Sequence, residues 1–491
     1  MSTEAAARHM GQMDALRGQA PQDFFLPYDL DRKIMAIHLI IADACNMNCK
    51  YCFYYKKPKL MDEATAKATM DWLLSHSVTD QTPEGRKPRP VHVTFFGGEP
   101  TLNEEVVMET VRYGNALARK LNKEVSFGVV SNFLDPSMDF LKFCADAQMG
   151  FLASYDGFHA QDINRRKGSN NKVLANMVRA MEMGIRINVA QQISPGNTAH
   201  IYDDLQSIFG MGVGHVFQNP VHHGIVPYNE EDFVNIENAF SKISAQIIKK
   251  RLAGVTNREW GVSNFEAHVM SILNLMRSDQ NMTRFLDSAN LDRTCGACKG
   301  SLAVAVDGTI RPCQQMTTEY DQWILGDVKG SEFRTDLRAA FRQEQFPECK
   351  ECAVVKCAPC RTQNAYTTGS EFCVPDEVCR YQRLLFYHAV HIVNALADKT
   401  PEYMLKPPQR QDAPRPPAPA PESRWKSAPQ IGSAGSGGHA AAPRNPQGRE
   451  FREPAKNFAR PPQDARGVVT SPKATQRCDC KCEDTECQKH E

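Results

Sequence analysis

Cysteine placement constrains this chain more than any other feature of its sequence. Seventeen cysteines occur in 491 residues, and all but Cys144 fall into three groups: three between positions 45 and 52, nine between 295 and 379, and four at Cys478, Cys480, Cys482 and Cys487. The first residues lack the apolar core of an export signal, so we expect a cytoplasmic protein. In that reducing compartment, grouped cysteines more often bind metal than form disulfides.

Charge and hydropathy exclude several classes of partner. Lys and Arg (58) nearly cancel Asp and Glu (57), so no overall field attracts the chain to nucleic acid. The longest apolar run, residues 34–42, is far shorter than the roughly 20 residues that a membrane helix requires. We expect neither a nucleic acid nor a membrane as partner.

Short β-rich runs alternate with helical patterns over the first half of the chain. We predict strands at 35–41, 91–96, 125–130, 150–155, 185–189 and 213–218, with helices starting near Asp62, Asn103 and Asp135-Pro136. Six β–α alternations predict an α/β fold with a parallel sheet, either doubly wound or a partial barrel. In both, ligands bind at the carboxyl ends of the strands.

The composition predicts five segments. Residues 1–33 form an arm, 34–225 the α/β domain, 226–290 a helical connector and 291–385 a Cys-rich domain; 386–491 comprise a helix end and a tail. Fifteen of the 30 prolines lie beyond residue 400, and residues 401–477 carry 13 Lys/Arg against 6 Asp/Glu. This composition predicts a disordered basic tail. Its terminal cysteines could bind zinc or copper, exchange thiols or stay unstructured.

The first cysteine group, Cys45-x3-Cys49-x2-Cys52, directly follows the first predicted strand. Three thiolates on one loop suit an iron–sulfur cluster or zinc. A four-iron cluster with three cysteines keeps one iron open, as a catalytic metal site requires. The alternative is a structural zinc site whose fourth ligand comes from elsewhere.

A second motif, Gly97-Gly98-Glu99-Pro100, ends the second predicted strand. Its glycines would let the backbone approach a ligand, and the Glu99 carboxylate could pair with an ammonium group. A solvated turn is the alternative. The pair His222-His223, after the sixth strand, is interpreted as a solvated loop.

Together these motifs resemble radical S-adenosylmethionine (SAM) enzymes, above all the branch of anaerobic sulfatase maturases and peptide-modifying relatives. The resemblance implies a partial (β/α)6 TIM-like barrel and a [4Fe–4S] cluster on Cys45, Cys49 and Cys52. The open iron would chelate SAM, and reduction would yield methionine and a 5′-deoxyadenosyl radical. It implies SAM-binding roles for Tyr51, Gly97, Gly98, Glu99, Pro100, Ser131, Asn132, Ser154, Asp156 and Arg165, with Arg166 as the alternative to Arg165. No residue is singled out as a catalytic acid or base.

The second cysteine group resembles a SPASM domain, which carries auxiliary iron–sulfur clusters. Its Cys-x9-Gly-x4-Cys element includes a hairpin predicted at Asp307-Gly308. The resemblance implies two auxiliary [4Fe–4S] clusters, one on Cys295, Cys298, Cys313 and Cys360 and the other on Cys349, Cys352, Cys357 and Cys379. Cys373 is then spare. The last two gaps, four and two residues, are shorter than the family's five and three, and two zinc ribbons remain the alternative.

We therefore expect a radical SAM enzyme that abstracts hydrogen from a peptide or protein residue and uses a low-potential donor of flavodoxin or ferredoxin type. The first alternative is oxidation of a small alcohol or sugar by the same machinery. The second is a non-catalytic iron–sulfur or zinc protein that acts as a redox sensor or scaffold.

Overall fold

The computed structural model describes the following residues: 34, 36–77, 91–257, 259–277, 295–298, 300–317, 320–330, 333–342, 346, 349, 352–357 and 359–396. All of them belong to one compact unit. The predicted N-terminal arm and most of the predicted tail, including its four cysteines, lie outside the described residues.

Ten strands of the described chain form one sheet. They are β1 (Ala36–Ala42), β2 (Val91–Gly97), β3 (Val125–Ser131), β4 (Gly150–Ser154), β5 (Ile187–Ile193), β6 (His215–Pro220), β7 (Gly261–Val262), β8 (Ser301–Val304), β9 (Thr309–Arg311) and β10 (Gly326–Asp327). Strands β1 to β6 are parallel neighbours in chain order. The predicted partial (β/α)6 barrel is confirmed, and each predicted strand overlaps its observed one.

The Cys-rich region contributes directly to the barrel sheet. Strand β8 pairs in parallel with β1, from Ala36 opposite Ser301 to Leu39 opposite Val304. The predicted hairpin at Asp307-Gly308 is confirmed: β9 returns antiparallel to β8, and Gly308 has a positive φ of 96°. The full order is β10-β9-β8-β1-β2-β3-β4-β5-β6-β7, with β10 and β7 as edges. The second cysteine group is therefore anchored beside the first strand.

The described helices are α1 (Glu63–His76), α2 (Glu104–Lys120), α3 (Met138–Asp146), α4 (Gln161–Asn164), α5 (Asn170–Glu182), α6 (Ile201–Gly210), α7 (Glu230–Leu252), α8 (Ser263–Arg277), α9 (Thr335–Arg342), α10 (Arg361–Thr368) and α11 (Asp376–Leu396). Helices α2, α6 and α8 contact β3, β5 and β6, and α11 packs on α7 and α8. The predicted boundary at residue 385 lies inside α11. No helix in the described ranges has both the length and the apolar character of a membrane span.

The two faces of the barrel strands differ in burial. Residues that face the helices, such as Val93, Val129 and Val189, are buried. Alternate positions on the same strands, such as Thr94 and Val130, remain partly accessible. Because side chains alternate across a strand, the accessible set lines the inner face of the barrel.

Two helix starts test the sequence predictions. Asp62 caps α1 as predicted, because its Oδ1 accepts a hydrogen bond from the Thr65 N–H at 2.7 Å. The third predicted start, at Asp135-Pro136, is wrong by two residues. Ser137 is the N-cap of α3, and its Oγ accepts from the Phe140 N–H at 3.1 Å. Asp135 instead forms an exposed ion pair with Lys172.

This difference predicts unequal costs for two substitutions. Ser137→Ala should lower the free energy of unfolding by about 1 kcal/mol, since it removes the cap of α3. Asp135→Ala, the matched control, should cost no more than about 0.5 kcal/mol, because exposed ion pairs contribute little. Anaerobic urea titrations measure both, and a larger loss for Asp135→Ala would contradict the assigned cap.

Candidate functional site

The loops that follow β1, β2, β3 and β4 meet at one edge of the sheet, as expected for parallel strands. They carry the first cysteine group, the Gly-Gly-Glu-Pro segment, the Ser131-Asn132 pair and Asp156. Ser154 ends β4, and the buried Pro100 begins a 3-10 turn that leads into α2. Side chains far apart in the chain thus face a common space.

The two glycines of the second motif hold the cysteine loop. The N–H of Gly98 donates to the carbonyl of Ala42 at 2.7 Å, and the N–H of Glu99 donates to that of Ala44 at 2.9 Å. A Cβ on Gly97 would lie 2.1 Å from the Ala42 oxygen, and one on Gly98 would lie 2.3 Å from the Ala44 oxygen. Only glycine fits at either position. The close approach of the glycine backbone that the sequence indicated is therefore an approach to the cysteine loop.

Glu99 is a buried carboxylate held by neutral donors. Its Oε1 accepts from the Thr101 N–H, the Thr101 hydroxyl and the Ser131 hydroxyl at 3.1, 2.9 and 2.8 Å. Its Oε2 accepts from the Asn132 N–H at 2.8 Å. Burial raises the pKa of this carboxyl group, while these hydrogen bonds lower it in part. None of the described Lys, Arg or His side chains forms an ion pair with Glu99.

Ser131 and Asn132 therefore support other groups of the site. Besides holding Glu99, Asn132 donates through Nδ2 to Asn46 Oδ1 at 2.8 Å, and the same nitrogen lies 3.9 Å from Cys45 Sγ. The buried Nδ2 of Asn46 has no hydrogen-bond partner. The segment after β3 thus links Glu99 to the cysteine loop.

The thiols of the first group are held in a partly buried loop. The Met47 N–H lies 3.4 Å from Cys45 Sγ as a hydrogen-bond donor. Burial raises the pKa of the Cys45 thiol to about 12, and burial also raises that of Cys49. The nearby Cys49 also raises the pKa of Cys45, and Cys52 raises that of Cys49, because neighbouring negative charges repel each other. Such thiols stay protonated at neutral pH unless a cation compensates the thiolate charge.

Tyr51, Asp156 and Arg165 form a buried cluster beside the loop. The Tyr51 hydroxyl donates to Asp156 Oδ2, and the Arg165 guanidinium lies 5.6 Å from the centre of the Tyr51 ring. Arg165 Nε lies 3.1 Å from Asp156 Oδ1 as an ion pair, although it lacks hydrogen-bond geometry. Arg166 is exposed and donates to the Asn46 carbonyl at 2.9 Å. The structure thus buries Arg165, the favoured candidate of the two.

Two residues make polar contacts at the site that were not anticipated. Lys56 Nζ donates to the Met47 carbonyl at 2.6 Å and to Asn48 Oδ1 at 3.3 Å, so it folds back over the first cysteine group. The Gln192 N–H donates to Asp156 Oδ1 at 3.2 Å. Of Lys56 and Gln192, only Lys56 could have been found from the sequence, because it lies four residues after the third cysteine.

The interpretation of His222-His223 as a solvated loop is wrong. His222 is only 8% exposed and stacks on Phe53, with ring centres 5.6 Å apart. His223 accepts from the Tyr228 N–H and lies 3.2 Å from a Glu377 carboxylate oxygen. The Cys-rich region and its neighbours contact both rings. Local sequence does not show where that region lies, so these contacts could not be predicted.

The structure brings the first predicted auxiliary set together. The Cys360 thiol lies 3.4 Å from Gln315 Oε1, two residues after Cys313, and the Arg338 Nε donates to the Cys298 carbonyl at 2.8 Å. Burial raises the pKa of the Cys298 thiol to about 12 and raises that of Cys313 as well. Cys295 lies close enough to its three partners to raise the pKa of each thiol; they are Cys298, Cys313 and Cys360.

Contacts within the second predicted set involve Cys349, Cys352 and Cys379. Cys349 and Cys379 pack in one small apolar cluster with Phe346, Val374 and Val378. Cys352 donates its N–H to the Cys349 carbonyl at 3.3 Å, and Cys357 is half-buried on the same loop. The spare Cys373 precedes Val374 in the chain and is buried.

These donors fit an iron–sulfur cluster and a cationic ligand. Within the described ranges, no three His, Cys, Asp or Glu side chains converge on a position for a single metal ion. A four-iron cluster spreads its thiolates over different iron atoms. The buried Asn46 Nδ2, which has no hydrogen-bond partner, and the Glu99 carboxylate, which has no cation, are both left for a ligand to satisfy.

Comparison with known proteins agrees with this geometry. Residues 39–198 match the radical SAM superfamily. The chain carries a radical SAM domain. No curated protein matches the chain.

Solved structures resemble this chain in fold. One is the anaerobic sulfatase maturase anSMEcpe with bound AdoMet and the Cp18Cys peptide: identity is 18%, the TM-score is 0.57, and the match covers 74% of this chain and 99% of that chain. Another is SuiB of Streptococcus suis bound to precursor peptide SuiA, with 9% identity, a TM-score of 0.47 and coverage of 77% and 80%. The Cys-rich region after the barrel fits the SPASM arrangement.

The glycine packing generates a direct test. Gly98→Ala should lower the free energy of unfolding by about 1–3 kcal/mol, because its Cβ would overlap the Ala44 carbonyl. Gly210→Ala is the matched control, since a Cβ there meets no atom within 4 Å. Anaerobic denaturation measures both variants. Equal stability of the two would show that the cysteine loop does not require this close approach.

Proposed function

We propose that this protein reductively cleaves SAM and uses the resulting radical to abstract hydrogen from a peptide or protein residue. The observation that carries the proposal is the buried Glu99 carboxylate, which neutral donors hold beside the cysteine loop without a cation. A buried charge is costly unless it is paired. The amino group of SAM would donate N–H hydrogen bonds to this carboxylate.

The first cysteine group is proposed to bind the [4Fe–4S] cluster through Cys45, Cys49 and Cys52. When bound, this cluster supplies the electron that breaks a carbon–sulfur bond of SAM. The chain itself holds the thiolates, donates N–H groups to sulfur and excludes water. Lys56 places a positive charge near Cys45 and Cys49, which favours their thiolate forms.

The other residues of the site are proposed to orient SAM. Arg165 is buried and positively charged, so it suits the SAM carboxylate. Asp156 and Tyr51 fix the guanidinium from two sides. Gly97, Gly98 and Pro100 set the position of Glu99, and Ser131 and Asn132 hold its carboxylate. Ser154 remains a candidate contact at the end of β4.

Two auxiliary [4Fe–4S] clusters are proposed for the Cys-rich region. The electrostatic proximity of Cys295, Cys298, Cys313 and Cys360 supports the first. The shared packing of Cys349 and Cys379 supports the second, which Cys352 and Cys357 would complete. Such clusters could accept the electron of an oxidised substrate radical or bind substrate. Two zinc ribbons are the competing interpretation.

A peptidyl substrate is favoured by the fold that the chain shares with anSMEcpe, whose structure contains a bound peptide. A low-potential flavodoxin or ferredoxin would deliver the electron, and a reducing cytoplasm would keep the thiols available. Oxidation of a small alcohol or sugar would use the same SAM site.

Substitution of one cysteine tests the assignment of the catalytic loop. Cys49→Ala should abolish formation of 5′-deoxyadenosine from SAM and dithionite while about eight auxiliary irons per chain remain. Cys144→Ala, which removes a buried core thiol in α3, should retain the activity. Iron analysis and chromatography of the products check both. Formation of 5′-deoxyadenosine by Cys49→Ala would refute the assignment.

The substrate class needs a separate experiment. Reconstituted protein should be incubated anaerobically with SAM, reductant and peptides encoded by neighbouring reading frames, and the peptides then analysed by mass spectrometry. We expect a mass loss of about two hydrogens in one peptide, as oxidation or cross-linking requires. Turnover of a small alcohol with no modified peptide would instead support the alternative substrate class.

A further inference from the structure

His222 occupies an unusual position at the edge of the candidate site. It lies two residues beyond the end of β6, is only 8% exposed, and its buried Nδ1 has no hydrogen-bond partner. Burial lowers its pKa to about 4, so the imidazole is neutral at physiological pH. Burying an imidazole nitrogen without a hydrogen bond costs free energy. The packing of the His222 ring must therefore contribute to the stability of the fold or to the function.

The rings that pack on His222 come from two different cysteine segments. Phe53 directly follows Cys52, and its ring stacks on the imidazole at 5.6 Å with an interplanar angle of 18°. Tyr366 belongs to α10, the helix that starts immediately after Cys360, and its ring centre lies 5.7 Å from that of His222. His222 therefore contacts one aromatic ring next to the first cysteine group and one next to the second.

Polar contacts hold the three segments together at the same place. The Tyr366 hydroxyl donates to the Phe53 carbonyl at 3.2 Å, and the Gly224 N–H donates to the Thr367 hydroxyl at 3.2 Å. A Cβ on Gly224 would lie 2.2 Å from the Tyr366 carbonyl oxygen, so only glycine lets this loop approach α10. Both the ring and the carbonyl of Phe53 are thus restrained from outside the cysteine loop.

We propose that His222 is a positioning residue: its ring transmits the position of α10 to Phe53 and so fixes Cys52 for SAM cleavage. This inference rests on the proposed function of the first cysteine group. It gives the Cys-rich region a mechanical role at the SAM site, besides any electron transfer. The aromatic plane performs this role, and the ring nitrogens are not required.

The test compares two substitutions in the full chain, reconstituted anaerobically. His222→Ala removes the ring that Phe53 and Tyr366 share, whereas His222→Phe keeps an aromatic plane. His268→Ala is the matched control: His268 is also buried, has an unpartnered Nδ1 and a pKa lowered to about 4, but lies on α8. Iron per chain, the electron paramagnetic resonance (EPR) spectrum of the reduced protein with SAM, and the rate of 5′-deoxyadenosine formation are measured for each.

We expect His222→Ala to alter the EPR spectrum of the SAM-bound cluster and to slow 5′-deoxyadenosine formation at least tenfold, with auxiliary iron retained. His222→Phe should restore both within about twofold, and His268→Ala should match the wild type. If His222→Ala fails to bind iron at the first site, His222→Gln, which also lacks a ring, replaces it in the comparison.

Two results would overturn the proposal. One is a ring-less variant with the wild-type spectrum and rate, and the other is a His222→Phe variant as impaired as the ring-less one, which would assign the role to a ring nitrogen. Failure of the wild-type protein to cleave SAM would instead refute the proposed function itself. The two failures are therefore distinguishable.

Discussion

The close approach of the two glycines to the cysteine loop is the constraint on which the rest of the site depends. Gly97 and Gly98 bring the end of β2 against the Ala42 and Ala44 carbonyls, where no side chain fits. This contact places the residue after the glycines beside the thiols. Without it, the cysteine loop and Glu99 would belong to two unrelated turns of the barrel.

Electrostatics then define what the site can hold. The loop gathers thiols that burial keeps protonated, and the adjacent Glu99 carboxylate is buried among neutral donors. Arg165, the buried cation nearby, is already engaged by Asp156. A ligand that brings a cationic metal centre to the thiols and an amino N–H donor to Glu99 resolves both costs at once. SAM on an iron–sulfur cluster has this combination of groups.

Local sequence signals predicted the elements of the fold well. The six barrel strands follow from short β-rich runs, the cap at Asp62 from its carboxylate, and the β8–β9 hairpin from Asp307-Gly308. The two-residue strands β7 and β10 were missed because two residues carry no periodicity. The start of α3 was misplaced because Asp135 and Ser137 are both good capping residues.

Features that depend on long-range packing could not be predicted. No pattern within residues 301–304 shows that β8 pairs with β1, more than 250 positions away. Ser131 and Asn132 were expected to bind SAM, but the sequence did not show that they also hold the Glu99 carboxylate. His222 was expected in solvent, since a histidine pair in a loop does not reveal that Phe53 and Tyr366 cover it.

The most direct test of the account is whether the nitrogen of SAM binds iron next to Glu99. Electron–nuclear double resonance of the reduced protein with SAM labelled with ¹⁵N in its amino group measures this contact. The account predicts a ¹⁵N coupling to the cluster that disappears when Cys45, Cys49 and Cys52 are replaced together. A cluster signal that SAM leaves unchanged, in protein with its full complement of iron, would contradict it.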